Sequence, residues 1–318
     1  MVNSALIVIG VLTLTAISTG LYYSKNLIEE DLFKDRRLLS KGTNNKTLWL
    51  YYDQSDVNAR WWADFGARSS RVLNTPYLNL CYNSIVKKNG TTYNVKVLAG
   101  LTDVAILLGG WNKLPKPLQN PIAPVNTAEI NYLRARILRE FGGLWVNPST
   151  ICIRPLPDFT KSNAVILFGT DKDETYSDEN GTPAPGTDIM YSPEPNHPVF
   201  VELEQLALGR IEKQEGGRQF RGDVKWDLRT LMAKDNTIQY YPEYEFARKN
   251  SGRRIQLEDL LTSNSIPLND RACYVPIDMK ELEERRNFGW FLRMSEPQIL
   301  ESDLFISKLF KIHNVNAT

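Results

Sequence analysis

NYLRARILREFGGLWVNPSTICIRPL, residues 131–156, combines a helical pattern, a pair of glycines and an apolar run interrupted by a polar turn. The apolar spacing predicts a helix over Thr127–Phe141 that Gly142 ends, and Leu144–Ile153 has the composition of a strand. A helix followed at once by a strand is typical of α/β folds, in which ligands bind outside the carboxyl ends of the strands. We therefore expect Asn147–Ser149 to face a ligand crevice.

The predicted helix Thr127–Phe141 carries both a core face and a group of cations. Thr127 is the expected N-cap, and the apolar face is formed by Ile130, Leu133, Ile137 and Leu138. Arg134, Arg136 and Arg139 lie on the same short helix, so they cannot all face one pocket.

Further strands and helices alternate along the chain. The predicted strands are Thr47–Tyr52, Tyr77–Tyr82, Tyr93–Leu98 and Ala164–Gly169. The predicted helices after the decisive stretch are Val199–Glu212 and Lys225–Lys234. This alternation predicts an α/β fold with a mostly parallel, twisted sheet between helices, and residues 46–318 show no internal repeat or convincing linker, so they are expected to form one domain.

The N-terminus has the pattern of a membrane anchor. Ala5–Tyr23 contains no charged residue and is long enough to cross a bilayer as a helix. We assign residues 1–25 to an N-terminal transmembrane helix and residues 26–45 to a polar tether; a cleaved signal peptide is the alternative, although residues 1–4 lack its basic start. Basic residues follow the apolar span, which favours a single-pass protein whose large domain is cytoplasmic. These residues are Lys25, Lys34, Arg36, Arg37 and Lys41.

The charge balance and the cysteines exclude several classes of protein. The chain has 38 Lys and Arg against 37 Asp and Glu, so no net field favours nucleic acid as a partner. Its three cysteines are widely separated, which predicts buried thiols rather than a disulfide framework. With two histidines and no zinc-type spacing, any metal would be held by oxygen ligands.

Residues 131–149 resemble the capsular polysaccharide synthesis proteins and the related mannosyltransferases that have an Asp-x-Asp sugar-binding region. The family pattern is Asp-x-x-Arg followed by two glycines, an apolar and aromatic run, and Asp-x-Asp or Asp-x-Thr. Arg134, Gly142, Gly143, Trp145 and Ser149 fit this pattern. The resemblance extends more loosely over residues 49–200. It implies a GT-A-type fold, a nucleotide-sugar donor and a glycan or polysaccharide acceptor.

The resemblance also implies roles for individual residues. The residues implied in nucleotide-sugar binding are Asn131, Arg134, Gly143, Trp145, Asn147 and Ser149. The resemblance places a divalent cation, Mn²⁺ or Mg²⁺, at Asn147 and Ser149. Asp188 follows a glycine-containing loop, and it is the candidate catalytic base toward the acceptor or else a residue that caps a turn. His197 stands before Pro198 and a helical pattern, so a position at a helix start is preferred over a catalytic role.

Two departures from the family pattern leave the mechanism open. Asn131 and Asn147 stand where the family has acids, and an amide with a hydroxyl binds a hard cation weakly. Three alternatives follow: a metal held by other acids, such as Asp171 and Asp173; a donor diphosphate neutralised by an arginine of the Thr127–Phe141 helix; or no catalysis. The sequence therefore supports a membrane-bound glycosyltransferase, with a catalytically inactive relative that binds sugar or serves a structural role as the alternative.

Overall fold

A six-stranded sheet organises the protein, for which a computed structural model describes residues 39–53, 75–119, 125–170, 184–213 and 224–314. Its strands are β1 (Thr47–Tyr52), β2 (Asn94–Ala99), β3 (Gly143–Val146), β5 (Ile166–Thr170), β6 (Ala184–Ser192) and β7 (Gln239–Pro242). They lie in the order β2-β1-β3-β6-β5-β7. Only β6 is antiparallel to its neighbours β3 and β5, while the other pairings are parallel. The prediction of a mixed α/β fold with a mostly parallel sheet is confirmed.

Strand β1 shows why the sheet is covered on both faces. All six of its residues are buried, as expected for a central strand. Leu48, Leu50 and Tyr52 belong to one hydrophobic cluster, whereas Trp49 and Tyr51 belong to another. Because successive side chains of a strand point to opposite faces, the two clusters are the two layers that sandwich the sheet.

Helices and a small second sheet form these layers. The helices are α1 (Pro76–Asn89), α2 (Leu101–Leu108), α3 (Thr127–Phe141), α4 (Pro198–Lys213), α5 (Lys225–Lys234), α6 (Glu243–Phe246), α7 (Leu257–Leu260), α8 (Met279–Glu284), α9 (Glu296–Glu301) and α10 (Phe305–Asn314). The second sheet pairs β4 (Thr150–Cys152) with β8 (Tyr274–Pro276) in antiparallel orientation. Apolar residues of α2, α3, α4 and α5 cover one face of the main sheet, and those of α1, α7, α9 and α10, with the second sheet, cover the other.

Helix α3 begins and ends almost as predicted. Asn126, rather than Thr127, is the N-cap: its side chain accepts a hydrogen bond from the backbone N–H of Glu129, and the Glu129 side chain accepts one from the Asn126 N–H. This reciprocal capping box satisfies two donors that would otherwise lack partners, which explains the shift of one residue. Gly142 ends the helix with φ of +68°, as the sequence predicted.

Two predicted strands were wrong. Residues 77–82 lie in α1, which starts at Pro76. The apolar run occupies one helical face, because the buried residues Tyr77, Cys81 and Ile85 are four residues apart. The predicted strand Leu144–Ile153 is two strands, β3 and β4, which belong to different sheets and are separated by the turn at residues 147–149.

All three cysteines are free, buried thiols, as the sequence predicted. Burial raises the pKa of Cys81 well above its ordinary value, and it raises the pKa of Cys152 and Cys273 to about 12. The thiols therefore behave as apolar core groups rather than as nucleophiles.

The predicted anchor, residues 1–25, lies outside the described residues, as do Asp171 and Asp173. Within the ranges that the structure describes, no helix is both long and apolar enough to cross a membrane.

Candidate functional site

A cleft of about 940 Å³ lies where β1, β3 and β5 end and β6 begins. Its volume is in the range of small-molecule binding sites. The far wall comes from the segment around α6 and α7 and from the end of β8 with α8. Five of the seven predicted binding and catalytic residues line this cleft together: Asn131, Arg134, Trp145, Asn147 and Asp188.

Arg134 is a buried cation in the wall of the cleft. Only 6 % of its surface is exposed, and its Nη1 donates a 2.6 Å hydrogen bond to Oδ1 of Asn131, one turn earlier on α3. Its Nε has no hydrogen-bond partner among the described residues, and the guanidinium forms no ion pair with them. Burial lowers the pKa of Arg134 to about 10, although the negative charge of Asp188 acts in the opposite direction. The side chain therefore stays protonated at neutral pH while its charge is poorly compensated.

Trp145 holds the guanidinium from one side. The Cζ atom of Arg134 lies 5.3 Å from the centre of the indole ring, within the range of a cation–π contact. Trp145 is itself buried and stacks on Tyr51 of β1 with ring centres 6.5 Å apart. Tyr51 and Trp145 lie on β1 and β3, which are paired inside the sheet, so the pairing of two strands holds the indole in place.

Asn147 is tied to Asp188 by two hydrogen bonds. The Asn147 side chain donates from Nδ2 to Oδ1 of Asp188 at 2.9 Å, and its backbone N–H donates to the Asp188 carbonyl oxygen at 2.7 Å. The other end of the amide, Oδ1, accepts from the backbone N–H of Ser149 at 3.1 Å. The amide thus fixes the turn after β3 and orients the Asp188 carboxylate in the wall of the cleft.

Ser149 and Gly143 do not line the cleft. Ser149 is buried, and its Oγ shares a 3.1 Å hydrogen bond with the hydroxyl of Tyr77 on α1. Gly143 begins β3, at the end of the strand away from the cleft, with φ of +93°. A Cβ at this position would lie 2.4 Å from the carbonyl oxygen of Thr47, so a close approach of two backbones explains this glycine.

The pair Asn147 and Ser149 does not fit a divalent cation. Both ends of the Asn147 amide are engaged, neither residue is anionic, and the Ser149 hydroxyl is buried against Tyr77. Among the residues that the structure describes, no three His, Cys, Asp or Glu side chains gather in a metal-binding arrangement.

The other arginines of α3 lie elsewhere. Arg136 pairs with Glu204 of α4 at 2.9 Å, and Arg139 pairs with the same carboxylate at 2.9 Å. Both also contact Glu140, so these cations join α3 to α4 rather than serve the cleft. His197 is buried immediately before α4, consistent with the predicted position at a helix start.

The sequence did not reveal Glu243, a buried acidic residue in the far wall. Glu243 is 6 % exposed and lines the cleft, and its Oε2 accepts from Nε and Nη2 of Arg254 at 3.4 Å. Burial raises the pKa of Glu243, with Arg254 and Arg248 lowering it and Asp188 raising it further. In the sequence, this wall is marked only by two basic pairs, at residues 248–249 and 253–254, and this signal is weak because scattered basic pairs are usually surface charge.

No family model matches this chain, and no curated protein matches it. Among solved structures, the chain is similar to one described as PaToxG glycosyltransferase, with a TM-score of 0.34 and 10 % identity over 67 % of this chain and 79 % of that one. At this TM-score the overlap carries no conclusion about activity, which rests on the chemistry of the cleft.

Proposed function

We propose that this protein transfers a sugar from a nucleotide-sugar donor to a hydroxyl of a glycan acceptor, on a nucleotide-binding fold of the GT-A type. One observation carries the proposal: Arg134 is a buried cation without an ion-pair partner among the described residues, and it lines a cleft at the carboxyl ends of parallel strands. That position in an α/β sheet is the general location of nucleotide-binding sites. A diphosphate is the part of such a donor that would match the cation.

Arg134 is the proposed diphosphate-binding residue. A guanidinium presents several N–H donors in one plane and matches the oxygens of a phosphate in two-point contacts. Asn131 and Trp145 hold this group in place before a donor arrives. Because the positive charge is already positioned, it also stabilises the negative charge that grows on the diphosphate as the bond to the sugar breaks.

Asp188 is the proposed general base. Its Oδ1 is held by Asn147, and the residue is only partly buried in the cleft. In the transfer step the acceptor oxygen forms a bond to the anomeric carbon, the bond from that carbon to the diphosphate breaks, and the hydroxyl proton moves to the Asp188 carboxylate. The products are the glycosylated acceptor and a nucleoside diphosphate.

The second candidate is a relative that binds a nucleotide sugar or glycan without transfer. Asn131 and Asn147 favour it, because they are amides at positions where the family that this sequence resembles has acids. Each amide is engaged in a hydrogen bond with a neighbouring side chain, Asn131 with Arg134 and Asn147 with Asp188, so neither position needs an acid to hold the site together.

Release of nucleoside diphosphate from a panel of nucleotide sugars tests the proposal. Full-length protein in detergent should release nucleoside diphosphate from at least one donor. The assay is run with manganese and, separately, with EDTA, and release under either condition supports the proposal. Asp188→Asn, which keeps the size of the side chain, should lower kcat about 100-fold and leave donor affinity nearly unchanged. Donor binding without turnover would support the non-catalytic candidate, and neither binding nor turnover would exclude the transferase.

A further inference from the structure

The three arginines of helix α3 have two different kinds of partner. Arg136 and Arg139 face the carboxylates of Glu204 and Glu140, so their charges are neutralised. Arg134 faces the uncharged amide of Asn131. The arginine that faces an amide is the one that lines the cleft.

We infer that Asn131 is a charge-setting residue: by holding Arg134 through a neutral oxygen, it keeps the guanidinium charge available for a diphosphate. This inference deepens the proposed function and rests on it for the identity of the anion. Asn131 acts through Arg134, so it is a positioning residue rather than a catalytic one.

The distance between the two side chains supports this role. Nη1 of Arg134 and Oδ1 of Asn131 are 2.6 Å apart, which is as short as the contact of a buried ion pair. An aspartate has nearly the same shape as an asparagine, so a carboxylate at position 131 would pair with Arg134 in the same geometry. An arriving phosphate would then meet a neutral pair and an additional negative charge.

The lack of an anion beside the buried Arg134 guanidinium destabilises the ligand-free protein. Asn131 is 5 % exposed and Arg134 is 6 % exposed, so water screens the guanidinium poorly. The negative charge of Asp188 favours the charged form of Arg134, but the two side chains form no ion pair among the described residues, and the Asp188 carboxylate accepts a hydrogen bond from Asn147. A bound diphosphate would provide the anion that Arg134 lacks. The free energy that the unpaired cation costs the ligand-free protein would be recovered on binding, so it would increase the affinity for the diphosphate.

The Asn131→Asp variant tests the inference, because it should change the affinity for an anion and the stability of the ligand-free protein in opposite directions. In the full-length protein in detergent, with EDTA present, affinity for inorganic pyrophosphate should fall at least tenfold by calorimetry. The Tm of the ligand-free variant should rise by about 2 °C, because the buried cation gains a partner. A residue with a merely structural role would move both quantities in the same direction.

Two further variants complete the experiment. Asn112→Asp makes the same charge change at an exposed position outside the cleft, and it should leave both affinity and Tm unchanged. Arg134→Met removes the cation while keeping an unbranched apolar chain, so it should abolish pyrophosphate binding without lowering the Tm of the ligand-free protein.

Several results would overturn the inference. They are no pyrophosphate binding by the wild type, unchanged affinity in Asn131→Asp, a lower Tm or loss of folding in that variant, or full affinity in Arg134→Met. Because no sugar transfer is measured, the expected pattern in a protein without turnover would support Asn131 as the charge-setting residue and reject the transferase. Turnover without pyrophosphate binding would support the transferase and reject Asn131 as the charge-setting residue.

Discussion

Gly143 belongs to the predicted binding motif, but the requirement for glycine at this position is purely structural. Its φ of +93° lies in the left-handed region, and an added Cβ would lie 2.4 Å from a backbone oxygen of β1 and 3.2 Å from Nε1 of Trp49. Neither neighbour can move easily, because β1 is a fully buried inner strand that is paired with β2 on one side and β3 on the other. The second glycine of the pair is therefore required for the contact between β1 and β3.

Gly143→Ala should destabilise the protein by about 3 kcal/mol, through backbone strain and a steric clash. Urea denaturation measures the change in the free energy of unfolding. The control is Gly209→Ala in the middle of α4, where a Cβ meets no atom within 4 Å; it should stabilise by about 1 kcal/mol from helix propensity. Equal stability of Gly143→Ala and wild type, with weaker ligand binding, would instead assign Gly143 to the ligand site.

At the level of single residues, the sequence predicted the near wall of the cleft and missed the far wall. Arg134, Trp145 and Asn147 lie within fourteen residues of one another, so one local pattern identifies all three. Glu243 and Arg254 reach the cleft only through tertiary packing. No local pattern marks such residues, because their position depends on how distant segments meet.

Among the elements, α1 illustrates the ambiguity of a short apolar run. Tyr77–Tyr82 contains aromatic and apolar residues that suit a strand and a buried helix equally well. Pro76 and the buried Ile85 decide for the helix, since the first favours a helix start and the second extends the apolar face by one turn. The longer patterns of α3 and α5 were recognised because they span at least ten residues.

The junction of β3 with β6 gives a second prediction. Asn147→Asp would place a carboxylate 2.9 Å from Oδ1 of Asp188, where an N–H now donates. The variant should lose about 2 kcal/mol of stability at pH 7 from repulsion and the lost hydrogen bond. Millimolar Mn²⁺ should restore its Tm, because two adjacent carboxylates form an oxygen site for a hard cation.

Thermal denaturation with and without manganese tests this expectation, and Asn147→Ala is the matched control. The alanine variant loses the same hydrogen bond without gaining a charge, so its Tm should fall without a response to manganese. An equal response of the two variants would contradict the expectation of a carboxylate-based cation site.

At the scale of the whole molecule, the fold class could be predicted and the strand order could not. Alternating strands and helices indicate a mostly parallel sheet wherever they occur. The reversal of β6 arises from pairing between segments that are distant in the chain, such as Trp145 with Met190. That reversal brings Asp188 to the same edge of the sheet as Asn147, so it determines the composition of the site.

The predicted anchor gives an expectation about the cellular fraction in which the protein is found. We propose that residues 1–25 hold the protein in a membrane, because they contain an uncharged span of sufficient length. Deleting residues 1–25 should move nearly all of the protein from the membrane fraction to the supernatant, whereas the wild type should resist a carbonate wash. A deletion variant that stays in the membrane fraction would show that another part of the chain is responsible.

The backbone hydrogen bond from Asn147 to the carbonyl of Asp188 does not depend on the identity of either side chain. A carboxylate or an amide at the turn after β3 would leave this backbone contact in place. Chemistry at this turn can therefore be lost, altered or regained in evolution without rebuilding the sheet. Point mutations, rather than a change of architecture, are then sufficient to alter the chemistry of this turn.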